Sequence, residues 1–235
     1  LALAVNGAVF DVDHAESRDL LFSKLDDPDP EVRIAAAYYF ARRADTSFWS
    51  SRASRLREVL DSFAEDDPAA VHLISALGRL GDDSDVRRLT RWARAAQDWR
   101  GRAEALAGLT GQESLPEVLG VLFDGLDDPS EHVAARAASS IARTDPPPEI
   151  ITRIKSWIDS DIDHRSVTEP LLGLLARQNE AVFIFNWLDA LSLDDVAGWK
   201  VGVAALSQIS GREALERLSE VAGSSHPEIS AATVE

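Results

Sequence analysis

The sequence predicts an all-α fold, a solenoid of about six to seven helical hairpins, and three observations predict it. The first is a phrase that returns. Asp26-Asp27-Pro28-Asp29-Pro30-Glu31-Val32-Arg33 opens an alanine-rich stretch, Ile34 to Ala41. It comes back as Asp127-Asp128-Pro129-Ser130-Glu131-His132-Val133 ahead of Ala134 to Ala142, and more weakly as Ser224-Ser225-His226-Pro227-Glu228-Ile229-Ser230-Ala231-Ala232. One phrase recurring between helical stretches marks stacked hairpins, none of which buries its apolar flank alone. The second is composition. Hydrophobic residues make up 45% of the chain but aromatics only 7%, and alanine leads the apolar set. Small side chains let helices approach closely. The third is periodicity. Leu56, Val59, Leu60 and Phe63 share one helical face, as do Ile150, Ile151, Ile154, Trp157 and Ile158, and no alternating run is long enough to propose a sheet.

Seven hairpins follow in order. Their helices are expected near 17–25 and 30–43, 49–63 and 68–80, 83–96 and 99–109, 114–126 and 130–143, 147–159 and 166–177, and 179–191 and 198–209. The seventh has 211–222 and a second helix opening near 227. Second helices therefore start 29 to 38 residues apart, the period of a two-helix repeat. Asp29-Pro30 and Asp67-Pro68 place a carboxylate at the N-cap and proline at the first helical position, where its missing N–H costs nothing. Gly81, Gly111 and Gly211 follow apolar stretches, where a left-handed residue ends a helix. Pro146-Pro147-Pro148 separates the fourth hairpin from the fifth. Leu1 to Phe10 reads as the tail of a preceding helix. With no methionine, and with the third phrase just entering its helix at the end, residues 1–235 are expected to be one repeat domain cut from a longer repeat protein.

The formal net charge is −16 and the pI about 4.7. Nucleic-acid binding draws on counterion release by surface Lys and Arg, so DNA, RNA and anionic membranes are disfavoured partners. The chain has no cysteine, which excludes disulfides, zinc–thiolate sites and a cysteine nucleophile. No apolar run reaches the ~18 residues of a membrane span. Leu1-Ala2-Leu3-Ala4-Val5 lacks a signal-peptide core, and the expected location is the cytoplasm.

With these residues in view, the chain resembles HEAT repeats, most closely the short type named after phycobilisome lyases. The second helix of that type reads roughly Asp-Pro-x-Val-Arg-x-x-Ala-x-x-Ala-Leu-Gly. Asp29-Pro30-Glu31-Val32-Arg33 with Ala36 matches it well. Val133 with Ala137 and Ile141 matches with Ala134 in place of the arginine. Ala76-Leu77-Gly78 and Ala107-Gly108-Leu109 echo its end. The resemblance implies a right-handed α-α superhelix, HEAT- or armadillo-like, whose second helices line a concave face. It implies scaffolding and protein recognition more often than catalysis. Bilin lyases and hydroxylases are the minority activities, and fold alone transfers neither.

The residues offer little chemistry. The family's iron hydroxylases use His-Glu dipeptides. Here His14, His72, His132, His164 and His226 are never followed directly by Glu. Asp159-Ser160-Asp161-Ile162-Asp163 imitates a calcium loop, but His164 and Pro170 stand where glycine and glutamate are needed. The paired aspartates at 26–27, 66–67, 82–83 and 127–128 flank helix starts, where backbone N–H groups want a carboxylate. No nucleophile elbow, phosphate loop or dinucleotide fingerprint is present. No cofactor and no catalytic residue is expected.

Charge is uneven. Residues 42–102 hold 12 Arg and 10 acidic residues, while the rest of the chain is strongly acidic. Arg87, Arg91 and Arg94 fall on one helical face beside Trp92, and Arg with Trp makes a typical interface anchor. Pairing with Asp82, Asp83 and Asp85 is the competing use of that face. The reading is a non-enzymatic scaffold that binds a protein partner on its concave face. Its candidate contacts are Arg33, Arg87, Arg91, Arg94, Arg102, Arg136 and Trp92. A bilin-lyase-like protein is the alternative, and a HEAT-like DNA glycosylase meets the wrong charge.

Overall fold

The computed structural model describes residues 15–43, 46–112, 116–160 and 165–223. Among them are thirteen α-helices, one short 3-10 turn and no strand. The chain divides into two compact units, Leu1–Ala137 and Ala138–Glu235. The third copy of the phrase, its helix from 227, residues 1–14, and Asp161 and Asp163 of the acidic loop lie outside the described residues.

The first unit holds α1 (Ala15–Phe22), α2 (Pro30–Arg43), α3 (Thr46–Ser62), α4 (Ala70–Leu80), α5 (Val86–Ala95), α6 (Trp99–Gly108), α7 (Pro116–Leu126) and most of α8 (Glu131–Ile141). Odd-numbered helices are the first of each hairpin and even-numbered helices the second. The second helices α2, α4 and α6 pack side by side, as do the first helices α5 and α7, and α3 packs on α4 and α5 on α6. The apolar stripes supply the core: Leu56, Leu60, Leu73, Ile74, Leu77, Leu106 and Leu122 are all fully buried. Each such side chain contributes about 1.5–3 kcal/mol of burial. Glycine sets the closest approach. A Cβ built on Gly78 of α4 would sit 2.6 Å from Gly108 Cα of α6, so the two backbones touch where a larger residue would part them.

Helix limits follow local chemistry. Gly81 and Gly111 are left-handed, with φ of 64° and 95°, as their position after α4 and α6 demands. The second helix of the second hairpin opens two residues later than expected. Pro68 and Ala69 stay in a turn because the Asp67 carboxylate accepts the Ala69 N–H (2.9 Å) and the Asp67 carbonyl accepts the Ala70 N–H (3.0 Å).

The second unit holds α9 (Pro148–Ser160), α10 (Arg165–Arg177), α11 (Ala181–Asp189), α12 (Val196–Leu206) and α13 (Arg212–Ala222). Here α10 and α12 pack side by side, while α11 and α13 both pack on α12. Pro148 begins α9, where its fixed φ suits the first turn. Pro170 lies inside α10. The helix continues through it because Leu171, Leu172, Leu174 and Leu175 are fully buried, which offsets one lost backbone bond.

Candidate functional site

Three turn aspartates, Asp128 of the returning phrase among them, have a two-sided job. One carboxylate oxygen of Asp67 takes the Ala69 N–H, and the other takes Arg33 Nη2 of the preceding hairpin at 2.7 Å. Asp128 repeats this, accepting the Ser130 N–H at 2.8 Å and a bidentate fork from Arg102 at 2.6 and 2.9 Å. Asp195 does so again with the Gly198 N–H (2.8 Å) and Arg165. Arg33 also donates to the carbonyls of Asp27 and Pro28, and Arg102 to those of Ala96 and Gln97. Each arginine thus ties its own turn to the next hairpin with charge-assisted bonds. Burial pushes the Asp128 carboxyl up, but Arg102 and the Ser130 N–H outweigh it and hold it below the usual carboxylate range.

The first helices carry a second set of ion pairs. Asp85, fully buried, accepts from Arg57 (2.7 and 2.8 Å) and from Arg88 (2.8 Å). Arg88 also forks onto Asp61 at 2.6 and 2.8 Å and lowers the Asp61 pKa. Arg94 pairs with Asp124 on α7 at 2.8 Å.

Beyond those ties, the second helices turn a further group of arginines to an opening. Residues of α2, α4, α6 and α8 line one groove of about 700 Å³, and no first helix contributes. Four arginines line it, Arg42, Arg79, Arg100 and Arg136, against one acid, Glu104. Two aromatic–histidine contacts bridge neighbouring second helices. Tyr38, 45% exposed, meets His72 edge-on at 5.3 Å and lies under Arg42 at 5.6 Å. Trp99 stacks on His132 at 4.6 Å and lies under Arg100 at 4.9 Å. Burial pushes the His72 imidazole below its usual range; the Arg42 charge adds to this and Glu104 opposes it. Among the described residues, no set of three or more His, Asp or Glu is placed to hold a metal ion.

The structure disperses the residues marked in the sequence. Arg136 alone lines the groove. Arg87 and Arg91 are exposed on α5, a first helix, with Arg91 over the Trp92 ring at 5.3 Å. Arg94 and Arg102 share a shallower depression of about 420 Å³ with Asp124, Asp127 and Asp128, and those acids match their charge. Arg33 and Arg102 are the half-buried hairpin ties just described. Trp92 requires a correction: it is fully buried, because the face of α5 that carries it is the core face shared with Leu89 and Ala93. Tyr38, Arg42, His72, Arg79, Trp99 and Arg100 were not marked. Each helix carries only two of them, too few to mark a face, and only stacking brings them together.

Residues 19–110, from within α1 past the end of α6, match the family model for HEAT repeats. Together with the thirteen α-helices among the described residues, which pack side by side within each unit, this gives an all-α, HEAT-like solenoid fold. Repeats of this kind commonly serve protein interaction. No curated protein matches the chain. No helix among the described residues is long and apolar enough to cross a membrane.

Proposed function

We propose that this protein is a non-enzymatic scaffold that binds a protein partner along the groove of the second helices. One observation carries the reading: four successive second helices of the first unit turn arginine, histidine and tryptophan side chains to a single opening, while Arg57, Arg88 and Arg94 on the first helices are matched by carboxylates. A surface held on packed helices needs little ordering on binding, and Arg, Tyr and Trp are the side chains that anchor interfaces. Arg136 remains a contact in this reading. The exposed Arg87, Arg91 and Arg94 face is a subsidiary surface. A cytoplasmic location and the phycobilisome-lyase-type subtype belong to the same proposal, the latter supported by the Asp-Pro-x-Val-Arg phrase. The charge of −16 supports a partner other than nucleic acid.

The test is partner capture by the immobilised full chain from an extract of its source cells, compared with Ala103→Trp, which fills the groove. Proteins retained by the wild type and lost by the variant are the expected result. Identical retention by the two proteins sinks the reading.

A further inference from the structure

Resting on that scaffold reading, we infer that the occupant of the groove is an extended acidic peptide segment, its carboxylates engaging Arg42 and Arg100. The case starts from charge complementarity. On a chain of net charge −16, this groove gathers four arginines against one glutamate. Outside it, five arginines of the same unit are neutralised in place, Arg33 by Asp67, Arg57 and Arg88 by Asp85, Arg94 by Asp124, and Arg102 by Asp128, and the exposed Arg87 and Arg91 stand on a first helix away from this opening. Arg42, Arg79 and Arg136 make no ion pair with any described residue, and Arg100 has only a 3.5 Å contact to Asp98 with both side chains open to water. Cations facing one opening repel one another, and an anionic ligand relieves that repulsion.

The layout also sets a spacing. Arg42 over Tyr38 backed by His72, and Arg100 over Trp99 backed by His132, are two similar trios. The first is built from α2 and α4, the second from α6 and α8. Second helices packed 8–10 Å apart put α2 and α6 roughly 20 Å from each other, and Arg42, at the C-terminal end of α2, stands on the order of 10 Å further along the helix direction than Arg100, at the start of α6. An extended chain rises about 3.3 Å per residue, so two acidic residues about seven positions apart reach both trios. Tyr38 and Trp99 offer flat apolar surface to the residues beside those carboxylates. A duplex, by contrast, carries a charge for about every 1.7 Å of its axis and would set most of them against an acidic surface. A short peptide keeps its few charges inside the groove.

The experiment is fluorescence anisotropy on the full chain at low salt. The probes are a labelled dodecapeptide with glutamates about seven residues apart, its glutamine analogue, a basic analogue, the same glutamates at half the spacing, and a single-stranded oligonucleotide. The glutamate peptide is expected to bind. The glutamine analogue and the half-spaced peptide, and the variants Arg42→Ala and Arg100→Ala, should each weaken binding by about tenfold, with helicity by circular dichroism unchanged. Arg100→Lys should recover part of the loss, since it keeps the charge and gives up the fork. Equal binding of the glutamine analogue, preference for the basic peptide or the oligonucleotide, or no peptide binding overturns the inference. If any of these occurs while Ala103→Trp still abolishes partner capture, the scaffold reading stands and only the acidic ligand falls. Loss of both effects removes both.

Discussion

Arg102 and Arg94 show how differently two arginines one helix apart are used. The side chains of Arg102 and Asp128 are 14% and 10% exposed, and those of Arg94 and Asp124 are each 54% exposed. Removing one partner of a half-buried, bidentate pair leaves a carboxylate without its donors, whereas an exposed pair contributes little. Arg102→Met is therefore expected to lower the unfolding free energy by about 2–3 kcal/mol. Arg94→Met should change it by less than about 0.5 kcal/mol, with urea denaturation as the measurement. His72 gives a second prediction. Its folded-state pKa lies below the unfolded value of 6.5, so between the two the unfolded chain binds a proton that the folded chain does not. Stability should decline as pH falls through the unfolded value toward the lower folded one, and His72→Gln should flatten that decline. The carboxylates Asp61, Asp82 and Asp128 have lowered folded values. Their stabilisation is present above the unfolded value and lost only at lower pH, below this window.

At the scale of elements, glycines that look alike in the sequence do opposite things. Gly78 and Gly108 hold α4 and α6 in backbone contact, and a methyl on either would strike the other's Cα, at 2.6 and 2.7 Å. Nothing lies within 4 Å of a Cβ on Gly120, in the middle of α7. Gly78→Ala is expected to destabilise by about 1–3 kcal/mol through overpacking, despite the better helix propensity of alanine. Gly120→Ala should stabilise by about 0.5–1 kcal/mol. Thermal melts of the two variants should move in opposite directions. The helices themselves were legible: the phrase, the caps and the 3.6-residue stripes locate all thirteen within a few residues. The role of Asp67 and Asp128 was legible only by half. Capping is a local event that spacing reveals, while their second oxygen answers an arginine 26 to 34 residues upstream, a contact that exists only once hairpins stack.

At the scale of the whole molecule, 40 acidic residues face 24 Lys and Arg. The excess repels itself across the surface, and that repulsion is screened over a Debye length of about 10 Å at 0.1 M salt. The half-buried Arg–Asp ties are screened far less. Raising salt from about 0.02 M to about 0.3 M should therefore raise the melting temperature, and a fall would mean that exposed ion pairs outweigh the excess charge. The same contrast explains which part of the site could be read in advance. The near-neutral stretch 42–102 was visible by counting, and three of the four groove arginines fall in or at the edge of it. The face was not visible. Arg87, Arg91 and Arg94 form a stripe within one helix, which periodicity detects, whereas Arg42, Arg79, Arg100 and Arg136 stand on four separate helices.

The ties at Arg33–Asp67, Arg102–Asp128 and Arg165–Asp195 join the first hairpin to the second, the third to the fourth, and the fifth to the sixth. An in-frame duplication of two hairpins would carry donor and acceptor together, while copying one alone would strand a guanidinium or a carboxylate at the seam. Deleting or adding hairpins as such pairs is therefore expected to cost less stability than changing the number by one.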